Sequence, residues 1–203
     1  MVHISDGVLS PQVLAAGWIF TGAVVGLTLR RMNAEQIPRL SLITAAFFVA
    51  SLIHIPVGPT SVHLILNGLV GVILGPLAYL SVFIGLVLQA LLIGHGGITV
   101  IGVNSVTMGL PALGVFYLFK FKNTSFKRAE LLGALAGGLA VISTVALTSL
   151  MLLTTGREFT GVVKALLIVH IPVILIEAVV AGAVVGFLVK VKPEVFLNRK
   201  AGR

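Results

Sequence analysis

Long stretches without a charged residue limit what this chain can fold into. No Asp, Glu, Lys or Arg occurs in the 23 residues 131–153 or in the 17 residues 77–93. Apolar runs of this length match the roughly 30 Å hydrocarbon core of a bilayer when they form helices. A transmembrane β-barrel requires alternating apolar and polar residues instead, and the sequence shows no such alternation. We therefore expect an all-α, polytopic transmembrane helix bundle.

The charged residues support this interpretation. They make up 10% of the chain, against about 25% in a soluble globular domain. The net charge is +8, but the basic residues lie at the ends of the apolar runs, which argues against a nucleic-acid partner. The chain contains no cysteine, which excludes disulfides, iron–sulfur clusters and thiolate metal sites.

We predict about seven spans in a single domain covering residues 1–203. The predicted spans are 13–29, 40–55, 62–74, 77–93, 104–119, 131–153 and 165–189. Gly75-Pro76 separates the third span from the fourth, because proline has no amide proton and breaks a continuous helix. The stretch before the first span lacks Lys and Arg and resembles no signal peptide. We therefore expect the mature chain to begin at or next to Met1.

The basic residues predict the orientation of the spans. With the N-terminus outside, 12 of the 14 Lys and Arg residues fall in the cytoplasmic loops and the C-terminal tail. Only Arg157 and Lys164 fall elsewhere, so the positive-inside rule favours an outer N-terminus and a cytoplasmic C-terminus. If 62–93 were one span, the basic clusters would disagree with one another. Two short spans or a re-entrant hairpin preserve the agreement.

This topology places all five histidines towards the outer side of the membrane. They are His3, His54, His63, His95 and His170. Imidazole nitrogen suits nickel, copper, zinc and cobalt, whereas calcium and magnesium prefer several carboxylates. The outer side offers only the carboxylates of Asp6 and Glu158, so the pattern indicates a nitrogen site for a transition metal.

The first three residues could form such a site themselves. The free amine of Met1, the amides of Val2 and His3, and the His3 imidazole can together supply four nitrogens in a plane. Square-planar nitrogen coordination favours Ni²⁺ or Cu²⁺. If Met1 is removed, Val2 supplies the amine and a fourth nitrogen is needed. His63 is then the natural candidate.

Four segments resemble one known family, and they occur in that family's order. They are HISDGVLS, IPVGPTSVHLILNGLVGVILGP, GHGGITVIGVNSVTMG and HIPVILIEA. They resemble the CbiM/NikM family, and NikM most of all. These proteins are the substrate-binding (S) components of energy-coupling factor (ECF) transporters for nickel and cobalt. The resemblance implies a transport subunit, not an enzyme, with Ni²⁺ or Co²⁺ as cargo and no cofactor.

The resemblance also implies a site and partners. The N-terminal segment, residues 1–12, would fold back into the bundle and bind the metal. The planar site would combine nitrogens of the N-terminus and His3 with the imidazole of His63, which ends the motif Thr60-Ser61-Val62-His63. The implied partners are a transmembrane coupling subunit, paired ATP-binding-cassette ATPases and a small accessory protein, all at the cytoplasmic (inner) membrane.

One departure from the family pattern bears on the ligand set. The family has histidine directly after Met1, whereas Val2 stands between Met1 and His3 here. With Met1 in place, this tripeptide could fill all four planar positions. His63 would then be displaced from the plane and axial at best.

Several residues are predicted to support the site without binding the metal. Asn104 is expected to hydrogen-bond the folded-back N-terminal segment. Asp6 either orients an imidazole or forms an ordinary Asp-Gly turn. Ser61 belongs to the histidine motif, and His54 and His95 are expected to be loop or supporting residues.

His170 and Glu177 are the predicted intramembrane polar pair. They lie seven residues apart and share one helix face, and an ionisable group at such depth is functional by default. We expect Glu177 to tie its helix to a neighbour. The alternative is a proton-coupled secondary metal transporter using both residues, although no inverted repeat is visible. A haem-binding redox protein is a weaker third reading, because His54 and His63 both lie at span ends.

Overall fold

The computed structural model describes residues 3–57, 60–119 and 125–197. Within these ranges the chain is a bundle of α-helices with one short β-hairpin, which confirms the predicted all-α class. The helices are α1 (Pro11–Arg31), α2 (Ile37–Ala50), α3 (Asn67–Leu74), α4 (Ala78–Ile93), α5 (Ile101–Leu118), α6 (Phe126–Thr155), α7 (Thr160–Val191) and α8 (Glu194–Leu197); the strands are β1 (His54–Val57) and β2 (Thr60–His63).

Five helical segments are long and apolar enough to cross a membrane. By length and composition they are α1, the segment Asn67–Ile93, α5, α6, and α7 with the turn before it. A turn divides the segment Asn67–Ile93 into α3 and α4. Large apolar side chains cover their outer faces: Ile19 is 74% exposed and Val179 is 71% exposed. Such surfaces are stable against lipid and unfavourable in water, so the chain is a multi-pass membrane protein.

The helices alternate in direction, and the turn between α3 and α4 reverses the chain. α3 runs parallel to α5, because Asn67 at its start bonds Met108 and Gly75 after its end faces the Phe116 ring. α4, joined to α5 by a short loop, runs the opposite way. Gly75 has φ +60°, which favours glycine, and Pro76 cannot donate to a helix. The predicted break at Gly75-Pro76 is confirmed.

The boundaries of two predicted spans, 40–55 and 62–74, are wrong. α2 ends at Ala50, and an antiparallel hairpin of β1 and β2 follows, with His54 opposite His63. A proline at position 56 disfavours a helix, and the β-branched residues in the sequences HIPV and TSVH favour strands. α3 has eight residues, a length of about 12 Å. It is therefore too short to cross a bilayer alone.

The two ends of the bundle differ in chemistry. One end carries the N-terminal segment, the β-hairpin and the loop between α4 and α5. The other carries basic residues at the ends of α1 and α7 and the starts of α2 and α6. There Arg39 donates hydrogen bonds to the carbonyl of Ile73, at the end of α3, and at 3.0 Å to that of Val195. The guanidinium thus joins α2, α3 and the C-terminal segment.

Candidate metal site

The N-terminal segment folds onto the end of the bundle instead of extending away from it. His3 is 7% exposed and Ile4 is 3% exposed. Ile4 belongs to an apolar cluster with Leu9, Val100 and Val103, which joins the segment to the start of α5. Burial of these side chains excludes water from the surroundings of His3.

Asn104, in the first turn of α5, holds Ile4 by both backbone groups. Its Nδ2 donates to the Ile4 carbonyl and its Oδ1 accepts from the Ile4 amide, each at 3.0 Å. Buried backbone groups need such partners, because leaving them unpaired costs about 1–3 kcal/mol each. Asn104 thus hydrogen-bonds the folded-back segment at Ile4, the residue that follows His3.

Asp6 fastens the segment to the loop between α4 and α5. Its amide donates to the Gly96 carbonyl at 3.2 Å. Its Oδ1 accepts from the Thr99 amide at 3.1 Å and from the Thr99 hydroxyl at 2.5 Å. Gly97 has φ +136°, and a Cβ there would collide with the Asp6 carboxylate. Among the described contacts, Asp6 therefore bonds the loop and not an imidazole.

The side chains of His3 and His63 meet inside this enclosure. Their Nε2 atoms lie 2.9 Å apart, and their ring centroids lie 4.9 Å apart. His63 is 2% exposed. They are sixty positions apart in the chain, with α1, α2 and β1 between them, so the fold itself brings together the two predicted ligands.

The hydrogen bonds assign protons to the two neutral rings. The Leu64 carbonyl can only accept, so His63 Nδ1, 2.8 Å away, is the donor. His63 Nε2 then carries a lone pair and accepts from His3 Nε2. The lone pair of His3 is left on Nδ1, which is buried and has no hydrogen-bond partner among the described residues. Nδ1 is the ring nitrogen that can close a chelate ring with the histidine's own amide.

Electrostatics favour neutral, metal-binding imidazoles here. Burial lowers the pKa of His3 well below its usual value, and charge on His63 and His95 would lower it further. No group of three or more His, Asp or Glu side chains within residues 3–57, 60–119 and 125–197 is arranged to hold a metal. Two imidazoles therefore need further donors, such as backbone nitrogens.

His95, predicted to be a loop or supporting residue, lies next to the paired imidazoles of His3 and His63. Its ring is stacked against His63 at 5.7 Å and against His3 at 6.3 Å, with interplanar angles of 15° and 11°. Sequence reasoning ranked it no higher than His54, and it did not single out Thr99 at all. The GHGGIT segment was the available signal, since two glycines after a histidine indicate close backbone approach.

The remaining predicted site residues are placed less completely. Met1 and Val2 lie outside the described residues, so the roles predicted for them stay predictions. The structure describes the backbone of His54 and Ser61: His54 pairs with His63, and Ser61 with Pro56. Ser61 thus lies in the strand that carries His63.

His170 and Glu177 both lie on α7, seven residues apart. His170 is 1% exposed, and its Nδ1 donates to the Leu166 carbonyl of its own helix at 2.8 Å. Glu177 is fully buried and accepts hydrogen bonds from the amides of Ile65 and Leu66. Glu177 thus ties α7 to the turn between β2 and α3, whereas a tie to a neighbouring helix was expected.

The chain is similar to known metal transport proteins. Residues 3–195 match the family described as CbiM, a cobalt uptake substrate-specific transmembrane region. A putative metal transport protein of Haemophilus influenzae is 40% identical in an alignment of 202 residues that covers 98% of each chain. A putative fused nickel transport protein NikMN of Archaeoglobus fulgidus is 28% identical over 98% of this chain and 70% of its own length.

A solved structure shares the fold. A crystal structure of a transition metal transporter superposes with a TM-score of 0.71 and 26% sequence identity, covering 97% of this chain and 96% of the other. The family match spans the N-terminal histidine, the hairpin and α7, so it includes every element that builds the site. This chain therefore belongs to the CbiM family of membrane components for cobalt and nickel uptake.

Proposed function

We propose that this chain captures Ni²⁺ on the outer side of the membrane and presents it for ATP-driven uptake, as the S component of an ECF-type transporter. The observation that carries the proposal is the contact between His3 and His63, with Nε2 atoms 2.9 Å apart in a buried site. Asn104 and Asp6 fasten the N-terminal segment there. These contacts pre-organise the segment, which lowers the entropy cost of binding an ion.

Nickel is the preferred cargo because of the donor set. Backbone nitrogens of the N-terminus and the imidazoles of His3 and His63 would form a planar nitrogen site, which suits Ni²⁺. Co²⁺ is the alternative, supported by the family's description as a cobalt uptake region. Affinity alone ranks Ni²⁺ above Co²⁺ and Cu²⁺ above both, so metal availability contributes to selection.

ATP hydrolysis is assigned to partners. The sequence contains no G-x-x-x-x-G-K-[ST] phosphate-binding loop. We propose a transmembrane coupling subunit, ATP-binding-cassette ATPases and a small accessory membrane protein as partners, in the cytoplasmic membrane. A nickel transport relative that is a fused chain supports assembly with a further transport component.

A proton-coupled secondary transporter is less well supported. That mechanism requires Glu177 and His170 to take up and release protons as the transporter changes conformation. In this fold the Glu177 carboxylate accepts from two backbone amides, and the His170 ring bonds its own helix. Both groups are engaged in fixed, local contacts.

Calorimetric titration of the purified protein with Ni²⁺ and Co²⁺ tests the capture role. We expect one ion per chain, loss of at least tenfold in affinity for His3→Ala, and near-normal binding for Thr28→Val. Thr28 is the control, because its hydroxyl bonds the Val24 carbonyl of its own helix, near the basic end of α1. Unchanged affinity in His3→Ala would contradict the proposed site.

Reconstitution in proteoliposomes tests the ATP-driven role. We expect this chain alone to bind nickel without accumulating it, with or without a pH gradient. Accumulation driven by the pH gradient, and its loss in Glu177→Gln, would instead establish the secondary transporter.

A further inference from the structure

Glu177 is the one fully buried carboxylate among the described residues, and it contacts the segment that follows His63. Its Oε1 accepts from the amides of Ile65 and Leu66, the latter at 2.8 Å. Its Oε2 accepts from Leu66 at 2.9 Å. A helix more than a hundred residues later in the chain thereby holds two successive amides just after β2.

The local backbone explains why a carboxylate is needed at this point. Leu66 is the residue before α3 and has φ +51°, a conformation that non-glycine residues rarely adopt. The first amides of a helix have no partners within the helix, and an anion near them is favourable. Glu177 accepts from the amides of Ile65 and Leu66, directly before the first helical residue Asn67, so it holds the turn between β2 and α3.

One peptide unit connects this turn to His63. The carbonyl of Leu64 and the amide of Ile65 belong to the same planar peptide group. That carbonyl accepts from His63 Nδ1 at 2.8 Å, and that amide donates to Glu177 Oε1. The continuous path therefore runs from the His63 ring through the Leu64 carbonyl and Ile65 amide to the Glu177 carboxylate.

We propose that Glu177 is the positioning residue for His63, acting through the Leu64–Ile65 peptide group. The inference rests on the proposed role of His63 as a metal ligand. By fixing the peptide plane, Glu177 fixes the carbonyl that holds Nδ1, and so it directs Nε2 towards the site. Hydrogen bonds in such chains polarise one another, which raises the basicity of Nε2. The peptide group takes the place of the direct carboxylate partner that metal-binding histidines often have.

A double-mutant cycle with Glu177→Gln and His63→Ala tests the proposal on the full chain. The glutamine side chain has nearly the same size, but it is neutral and has one acceptor oxygen instead of two, so it holds the Ile65 and Leu66 amides less strongly. We expect Glu177→Gln to weaken Ni²⁺ binding by roughly 10-fold or more, the usual effect of losing an indirect partner of a ligand. In the His63→Ala background the same change should have no further effect, since the ligand that it positions is gone. Thr28→Val, whose hydroxyl bonds the Val24 carbonyl within α1, is the control.

Each outcome has a definite meaning. An equal loss of affinity in both backgrounds would show that Glu177 supports the fold alone, and would overturn the proposal, as would unchanged affinity in Glu177→Gln. If His63→Ala binds Ni²⁺ as the parent does, the ligand role of His63 fails and this inference fails with it. If His63→Ala weakens binding and Glu177→Gln does not, the proposed function stands and only the role of Glu177 is wrong.

A second measurement needs neither metal nor a stable Glu177→Gln protein. In the ¹⁵N-histidine NMR spectrum, the parent protein should show His63 protonated at Nδ1 and unprotonated at Nε2. Glu177→Asp shortens the side chain by one methylene group and should mix the two tautomers of His63 while leaving His170 unchanged. An unmixed His63 signal in a folded Glu177→Asp protein would overturn the proposal.

Discussion

The side chain of Asn104 pairs with the backbone of Ile4 through two hydrogen bonds of 3.0 Å, as a neighbouring strand would. Ile4 directly follows His3, so this pairing sets where the His3 backbone enters the site. The placement of the N-terminal segment therefore depends on one buried side chain of α5.

Asn104→Ala should loosen the N-terminal segment. The variant leaves the amide and carbonyl of Ile4 without these partners, at a cost of about 1–3 kcal/mol for each unsatisfied group. We expect Ni²⁺ affinity, measured by calorimetry, to fall by about tenfold or more. Ser105→Ala is the matched control, because the Ser105 hydroxyl is buried with no hydrogen-bond partner among the described residues. Equal affinities in the two variants would refute the importance of the pairing.

His63 should be an equatorial ligand whether or not Val2 is present. Low-spin planar Ni²⁺ gives a yellow absorption band, which can be followed in this chain and in a Val2 deletion. We expect His63→Ala to abolish the band in both backgrounds, because the proposed planar site includes the His63 imidazole. Survival of the band in this chain, with loss in the deletion, would mean that Met1, Val2 and His3 supply all four nitrogens and that Val2 displaces His63 from the plane.

Gly97→Ala should disturb the loop that Asp6 holds. A Cβ at this position would overlap the Asp6 carboxylate, in addition to the strain of φ +136°. Gly94→Ala is the matched control, since Gly94 has φ +66° but nothing within 4 Å of an added Cβ. We expect a lower melting temperature and weaker Ni²⁺ binding for Gly97→Ala than for Gly94→Ala. Similar effects would indicate that only backbone strain matters in this loop.

Nickel should protect the N-terminal segment from hydrogen exchange. Bound metal would join the segment to β2 through His3 and His63, which adds to the contacts of Asn104 and Asp6. We expect slower amide exchange in residues 3–9 with Ni²⁺, measured by mass spectrometry, and return to the original rate after chelation. Residues 136–145 of α6 serve as an internal reference. Protection of both regions to the same degree would indicate general stabilisation instead.

The sequence predicted the parts of the fold that depend on long, uniform patterns. Uncharged runs identified the long helices, and Gly75-Pro76 identified the reversal between α3 and α4, because these signals are local. The hairpin of β1 and β2 was missed, since its apolar residues also fit the end of a span. A four-residue strand is too short for periodicity to separate it from a helix.

Prediction of the site depended on how far apart its members lie in the chain. The resemblance drew attention to His3, His63 and Asn104. For His95 the available signal was the GHGGIT segment. The bonds that Ile65 and Leu66 donate to Glu177 were not predictable, because they arise from the packing of α7 against the segment that contains β2. No spacing rule links residues more than a hundred positions apart.

The short helix α3 has an acidic side chain at its start and a basic side chain at its end. Glu177 accepts from the amide of Leu66, the residue before α3, and Arg39 donates to the carbonyl of Ile73 near the end of α3, an arrangement that suits the helix dipole. At about 12 Å, α3 spans less than half of the hydrocarbon core, and neither end depends on lipid headgroups for its partners. α3 thus connects the turn after His63 to the contacts of Arg39 with the C-terminal segment. A movement of α7 or α2 relative to α3 would change the hydrogen bonds at one of its ends. Through α3, the position of the His63 imidazole is therefore linked to the basic end of the bundle.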